Sequence, residues 1–148
     1  MARLFCNVHE RSYAGSVQMI RTGKTYAGDD WSSPEWIFSL VGPCFDPCPL
    51  YGRAYDGLSI NWHQHSAKYD HRVYVNPPYS KPHLWVDKAI EENKKGCTVI
   101  MLLKHDSSTQ WYAKLKEYGA HMLMPMGRLC FGGKKSGCAF PSLLVVLN

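Results

Sequence analysis

The sequence predicts an α/β fold, a sheet flanked by helices, and three features carry that prediction. Cys97-Thr98-Val99-Ile100-Met101-Leu102-Leu103 is apolar almost throughout, the pattern of a central strand covered on both faces. Upstream, Arg72 to Val75 is a short β-prone run, and between the two Lys81 to Ile90 sets Trp85 with Ala89 and Val86 with Ile90 at helical spacing. Strand, helix and strand in succession imply a parallel crossover. The third feature is how the first strand ends: Val73-Tyr74-Val75 runs into Asn76-Pro77-Pro78-Tyr79-Ser80. The prolines hold the Asn76 amide, the Pro77 carbonyl and the Tyr79 ring in a stiff arc. That arc lies at the carboxyl end of a strand, where open α/β sheets bind ligands.

A chain of 148 residues, 45% hydrophobic and 13% aromatic, is long enough for one well-buried core and short for two ordinary domains. The formal charge of +5 and pI near 8.9 suit a polyanionic partner without demanding one. Six cysteines, Cys6, Cys44, Cys48, Cys97, Cys130 and Cys138, occur without an apolar signal segment at the start. No apolar run is long enough to span a bilayer. Reduced thiols in a soluble, cytoplasmic protein with no membrane partner are therefore expected.

Along the chain, residues 1–29 show no sustained period; Val17 to Ile20 suggests a short strand or arm, and the segment is expected to be an appendage. Ser33 can cap a helix with Pro34 at its first position, running from Pro34 to Leu40 and stopping before Gly42-Pro43. Cys44 to Pro49 reads as a short buried strand ending in a proline-stiffened loop. Cys44, Cys48, His63 and His65 total four potential metal ligands, but the cysteines are not spaced as a zinc knuckle. Exposed loop histidines and no metal are expected. The crossover helix stops near Lys94-Lys95-Gly96. Ser107 or Ser108 caps a further helix to about Tyr118, with Trp111, Leu115 and Tyr118 on one side. His121 to Met124 reads as a strand. Gly127 to Phe131 and Pro141 to Leu147 read as two strands of an antiparallel hairpin near the sheet edge, around Gly132-Gly133-Lys134-Lys135-Ser136-Gly137.

Asn-Pro-Pro-Tyr resembles the catalytic motif of S-adenosylmethionine-dependent amino-methyltransferases. Around it, in order, stand Asp30 to Phe38, Phe45-Asp46-Pro47-Cys48, Asp56 to Trp62, Gly127 to Gly133 and Phe140-Pro141-Ser142. Together these blocks look like the phage-type DNA N6-adenine methyltransferase family, from about residue 30 to the C-terminus. The resemblance implies a compact Rossmann-like methyltransferase sheet in residues 30–148. It also implies S-adenosyl-L-methionine as cofactor and double-stranded DNA as partner, in the host cell cytoplasm if the gene is a phage's.

The resemblance implies that Asn76, Pro77, Pro78 and Tyr79 are catalytic. Methyl transfer to an aromatic amino group needs the nitrogen lone pair freed from conjugation. The Asn76 side-chain oxygen and the Pro77 carbonyl accept the amino hydrogens, and Tyr79 stacks on a base swung out of the duplex. Trp31, Ser33 and Pro34 would meet the cofactor's methionine end. By the same resemblance Asp46, Pro47 and Cys48 would form the first cofactor loop, and Asp56, Gly57 and Leu58 the contact to its adenine. Lys81, Lys104, His105, Arg128, Lys134 and Lys135 are candidate nucleic-acid contacts, weighed against an ordinary solvated surface.

Two other readings stand beside this one. The chemistry could act on cytosine N4 or RNA adenine, although by the family resemblance Asn76 at the motif's first position leans towards adenine. Alternatively, the chain is a cofactor-less, methyltransferase-like nucleic-acid-binding protein: no Gly-rich turn follows Asp46, no ribose-gripping acid is assignable, and Leu50 to Tyr55 is short. Target specificity would come from loops, the N-terminal segment or a homodimer partner.

Overall fold

The computed structural model describes residues 32–49, 55–131 and 137–148. Among the described residues, four helices, α1 (Glu35–Val41), α2 (Trp62–His65), α3 (Pro82–Lys94) and α4 (Gln110–Tyr118), and a 3-10 turn at Ala67–Tyr69 surround a four-stranded sheet. Its strands are β1 (Arg72–Val75), β2 (Thr98–Lys104), β3 (His121–Leu123) and β4 (Ser142–Leu147), in the order β1-β2-β4-β3. β1 and β2 are parallel, with Val73 opposite Val99, and α3 is the crossover between them. Phe45 adds a single parallel bridge to Val73 on the outer side of β1. Its N–H donates to the Arg72 carbonyl and its carbonyl accepts from the Tyr74 N–H, both at 2.9 Å.

Alternation along the strands sorts the core onto two faces. Val73, Val75, Val99, Met101, Leu103, Leu143, Val145 and Leu147 point to one side, where α3 brings Trp85, Val86, Ala89 and Ile90 and α4 brings Trp111 and Leu115. These are the helical-face residues the spacing predicts. Tyr74, Leu102 and Leu144 point to the other side and pack with Ile37 and Val41 of α1, Leu129 and Phe131. Helices thus cover the sheet on both faces, which is why β2 reads as apolar along its length.

α3 is C-capped by Lys95, followed by Gly96 at φ 104°. Near that end the buried Glu92 carboxylate accepts from the His63 N–H at 3.1 Å, Lys88 Nζ at 2.6 Å and Lys95 Nζ at 2.9 Å, tying α2 to α3. Burial alone would raise the Glu92 pKa; the hydrogen bonds from Lys88, Lys95 and the His63 amide outweigh it and hold the carboxyl below its usual range.

Several boundaries differ from expectation. Gly127 to Phe131 is not a strand: β4 has β2 on one edge and β3 on the other, so no ladder position is left for it. Leu129 and Phe131 instead plug the α1 face, and the Leu129 carbonyl accepts from the Cys138 N–H at 2.9 Å. The antiparallel partner of β4 beyond β2 is therefore β3, and β4 is internal rather than at the edge. Ser107 and Ser108 do not cap α4; Ser108 bonds to Asp106, and Thr109 accepts the Tyr112 N–H. Trp62 to His65 form one helical turn, capped by Asn61, where a loop was expected. Val17 to Ile20, the 1–29 appendage and the Lys134-Lys135 loop lie outside the described residues. Among the described residues, no helix is long and apolar enough to cross a membrane.

Candidate active site

The parallel strands end together, and each carboxyl end delivers a predicted site residue. Phe45 leads to Asp46, β1 to Asn76 and β2 to Lys104 and His105. Asn76 follows two residues after Tyr74, so both belong to the α1 side of the sheet.

The Asn76 amide is held at both ends. Its Nδ2 donates to Ser33 Oγ at 3.1 Å, and its Oδ1 accepts from the Tyr79 hydroxyl at 3.3 Å. Ser33 Oγ also lies 2.7 Å from the Tyr74 hydroxyl. Ser33 was expected to cap α1, but its oxygen is used on these two partners. Pro34 is the N-cap instead, without a side-chain cap bond. The start of α1 and the end of β1 are thus joined by side chains far apart in sequence.

Tyr79 packs edge-on against Phe140 at 5.3 Å, Phe140 meets Phe131 at 6.1 Å, and Lys104 Nζ lies 5.3 Å over the Phe140 ring. Burial pushes the Tyr79 phenol well above its ordinary range, and the nearby Cys138 adds to this, so Tyr79 stays a protonated donor at neutral pH. Ser142, next to this cluster in sequence, is buried with no hydrogen-bond partner for its hydroxyl among the described residues.

The two predicted cofactor loops touch each other. A Cβ on Gly57 would stand 2.0 Å from the Pro47 carbonyl oxygen and 2.9 Å from the Trp85 ring, so only glycine permits this approach. Trp62 stacks on Trp85 and donates its Nε1–H to the Gly57 carbonyl at 2.7 Å, fixing the contact from below. Asp46 Oδ1 accepts the Cys48 N–H at 2.8 Å. Asp56 turns its carboxylate to the Leu58 N–H at 3.1 Å and the Ser59 hydroxyl at 2.8 Å, shaping its own turn. Cys44, beside Asp46, has its thiol pushed up to about 12 by burial and by that carboxylate, so it is not a reactive thiolate.

Ser33 and Pro34 also line a groove of ≈ 980 Å³ with Ser32, Trp36, Arg128 and Leu129 among its walls. Arg128 is exposed there, and Lys81 and Lys104 are exposed on the same end of the sheet. His105 packs its ring 5.6 Å from Tyr112. Trp31, Lys134 and Lys135 lie outside the described residues. His63 stacks on His71 at 3.8 Å and His65 on Phe45 at 5.4 Å, so the two histidines face different neighbours. Among the described residues, Cys44, Cys97, Cys130 and Cys138 are free thiols.

Sequence reasoning missed two members of the site. Tyr74 read only as a β-prone core residue, and Phe140 only as part of a block; the signal available for Tyr74 was its hydroxyl on an otherwise apolar strand end.

Fold and site define an open α/β protein with a proline-stiffened amide and aromatic arc at the carboxyl ends of its parallel strands. Comparison with known proteins makes the class particular: the chain belongs to the DNA N-6-adenine-methyltransferase (Dam) family, whose model matches residues 21–142. It is similar to a DNA N-6-adenine-methyltransferase of Escherichia phage T1, 39% identical over 51 residues, which cover 34% of this chain and 21% of that protein. It is also similar to a DNA N-6-adenine-methyltransferase of Haemophilus phage HP1 (strain HP1c1), 31% identical over 94 residues, 57% of this chain and 54% of that protein. The matches thus span about a fifth and about half of those relatives' lengths. No solved structure matches significantly.

Proposed function

We propose that the protein transfers a methyl group from S-adenosyl-L-methionine to the N6 amino group of adenine in DNA, with residues 30–148 as the catalytic unit and residues 1–29 as an appendage. The observation that carries this reading is the Asn76 amide, anchored through Nδ2 to Ser33 and offering Oδ1 at the end of β1, in a chain of this family. The parallel order of Phe45, β1 and β2, with helices on both faces, supports a Rossmann-like frame whose ligands sit at the carboxyl ends.

The cofactor supplies an electrophilic methyl group. The contact of Pro47 with Gly57 supports a continuous wall for it, made by Asp46 to Cys48 and Asp56 to Leu58, with Ser33 and Pro34 close to Asn76. Each Asp56 oxygen has a second lone pair beyond its own turn, enough to accept from an amino group.

On the acceptor side, Asn76 Oδ1 and the Pro77 carbonyl take the two amino hydrogens of adenine. As the N–C bond to the methyl carbon formed and the sulfonium S–C bond broke, leaving a neutral thioether, positive charge would develop on nitrogen; these oxygens are preorganised to stabilise it until the surplus proton leaves to solvent. Tyr79 offers its ring to the flipped base, offsetting part of the few kcal/mol of unstacking. Lys81, Lys104, His105 and Arg128, with Lys134 and Lys135, are the residues proposed to meet phosphates or base edges.

Incubation with methyl-labelled S-adenosylmethionine and adenine-containing DNA, followed by nucleoside analysis, tests the reading. Label in N6-methyladenine is expected, with Asn76→Ala reduced by at least about a hundredfold, the scale of losing an oxyanion-type contact. Label in cytosine, or no label at all, overturns it.

The engagement of Asp46 and Asp56 in their own turns favours a second reading, a nucleic-acid-binding scaffold without cofactor. Calorimetric titration with S-adenosylmethionine separates the two: saturable heat excludes the scaffold.

A further inference from the structure

The proposed reaction requires the oxygen of the Asn76 amide, not its nitrogen, to face the amino group, yet the two ends of a carboxamide are nearly the same shape. We propose that Tyr74 and Ser33 form a positioning relay that fixes which end of the Asn76 amide faces the substrate. The relay deepens the proposed function and rests on it.

Tyr74 is 1% exposed and Ser33 8%, so their 2.7 Å contact is shielded from water, where a hydrogen bond is stronger and more directional. The Tyr74 ring is itself fixed, edge-on to Phe38 of α1 at 5.6 Å. A serine hydroxyl has one hydrogen and two lone pairs. The contact can carry its hydrogen from either oxygen; the relay assigns it to Ser33, donating to the Tyr74 oxygen, so that Ser33 offers Asn76 only lone pairs. The amide must then present Nδ2 to Ser33, as it does at 3.1 Å, and Oδ1 faces the opposite way, towards Tyr79. Without Tyr74 the Ser33 hydrogen is released to the amide oxygen, and the unproductive orientation, with nitrogen facing the substrate, becomes the favoured one. The absence of a side-chain cap on α1 fits the same assignment: the Ser33 oxygen is used at Asn76 rather than on its own helix.

Tyr74→Phe removes one oxygen and keeps the ring packed. Single-turnover methyl transfer to adenine DNA is expected to fall about tenfold, the scale of one buried hydrogen bond. Dissociation constants for S-adenosylmethionine and DNA should stay within about twofold of wild type. In a Ser33→Ala background Tyr74→Phe should cost nothing more, and Ser33→Thr, which restores a hydroxyl, should regain most of the rate. A Tyr74→Phe rate equal to wild type overturns the relay, as do losses that multiply in the double variant or that track cofactor affinity. If Tyr74→Phe does not fold, the serine pair decides: rescue by Thr with S-adenosylmethionine affinity unchanged across the pair upholds the relay, and equal rates for Ala and Thr, or rates that track cofactor affinity, overturn it. A wild type that transfers no methyl group removes the proposed function and the relay together; an active wild type with an unimpaired Tyr74→Phe removes the relay alone.

Discussion

Tyr79 has two chemical handles that act differently. Its hydroxyl reaches Asn76 Oδ1 at the long distance of 3.3 Å, whereas its ring stands against Phe140 at 5.3 Å and is placed to meet a flat partner. If stacking is the main contribution, Tyr79→Phe retains kcat/KM within a few-fold. Tyr79→Ala then loses about 1–3 kcal/mol, roughly 5- to 150-fold. Steady-state kinetics on adenine DNA checks this, and equal losses in the two variants would move the weight to the hydroxyl. Because the phenol is pushed far above neutrality, its titration should leave no inflection in the pH profile of kcat between about pH 6 and 9.

At the scale of elements, the site depends on loops that are held by close backbone approach rather than by length of secondary structure. Asp56-Gly57 read as a sequence is an ordinary turn, and nothing in it announces that Gly57 leans on the Pro47 carbonyl. A Cβ at 2.0 Å from that oxygen cannot be accommodated without moving one loop off the other. Gly57→Ala should therefore cost about 1–3 kcal/mol, the usual range for overpacking, measured by urea unfolding. It should also weaken S-adenosylmethionine binding in calorimetry more than it weakens DNA binding. Conversely, the helical faces of α3 and α4 were legible because Trp85, Val86, Ala89, Ile90, Trp111 and Leu115 recur at the period of a helix.

Across the whole molecule, the two ends of the sheet have different tasks. The amino end carries the Glu92 cluster, which anchors α3 to α2 and Lys95. The folded-state pKa of Glu92 is depressed, so its contribution to stability is fully present above the unfolded value of about 4.3 and is lost as pH falls through the folded value. Thermal melts should show stability declining below about pH 4, and Glu92→Gln should show a shallower acid decline. The same variant should be about 1–3 kcal/mol less stable at pH 7, the scale of losing charge-assisted hydrogen bonds from Lys88 and Lys95, which both keep Glu91 as a partner. At the carboxyl end, the exposed Lys81, Lys104 and Arg128 rim the proposed site. Each one that meets a phosphate should, when changed to Ala, weaken DNA binding uniformly across sequences and reduce the salt-dependence slope by about one.

What the sequence determined by itself was whatever depends on local chemistry. The apolar run of β2, the period of α3, the stiff prolines after Val75 and the glycine after Lys95 each act within a few residues, so they read directly. The ordered blocks around Asn-Pro-Pro-Tyr carried the family for the same reason. Only the tertiary structure decided what depends on neighbours distant in the chain. β4 lies between β2 and β3 because both its edges find partners, which leaves Gly127 to Phe131 to pack by side chain. Ser33 gives up its own helix because folding brings Tyr74 and Asn76, 41 and 43 residues on, to a single buried oxygen. A hydroxyl bonds whichever partner the fold delivers, and that partner is not written beside it in the sequence.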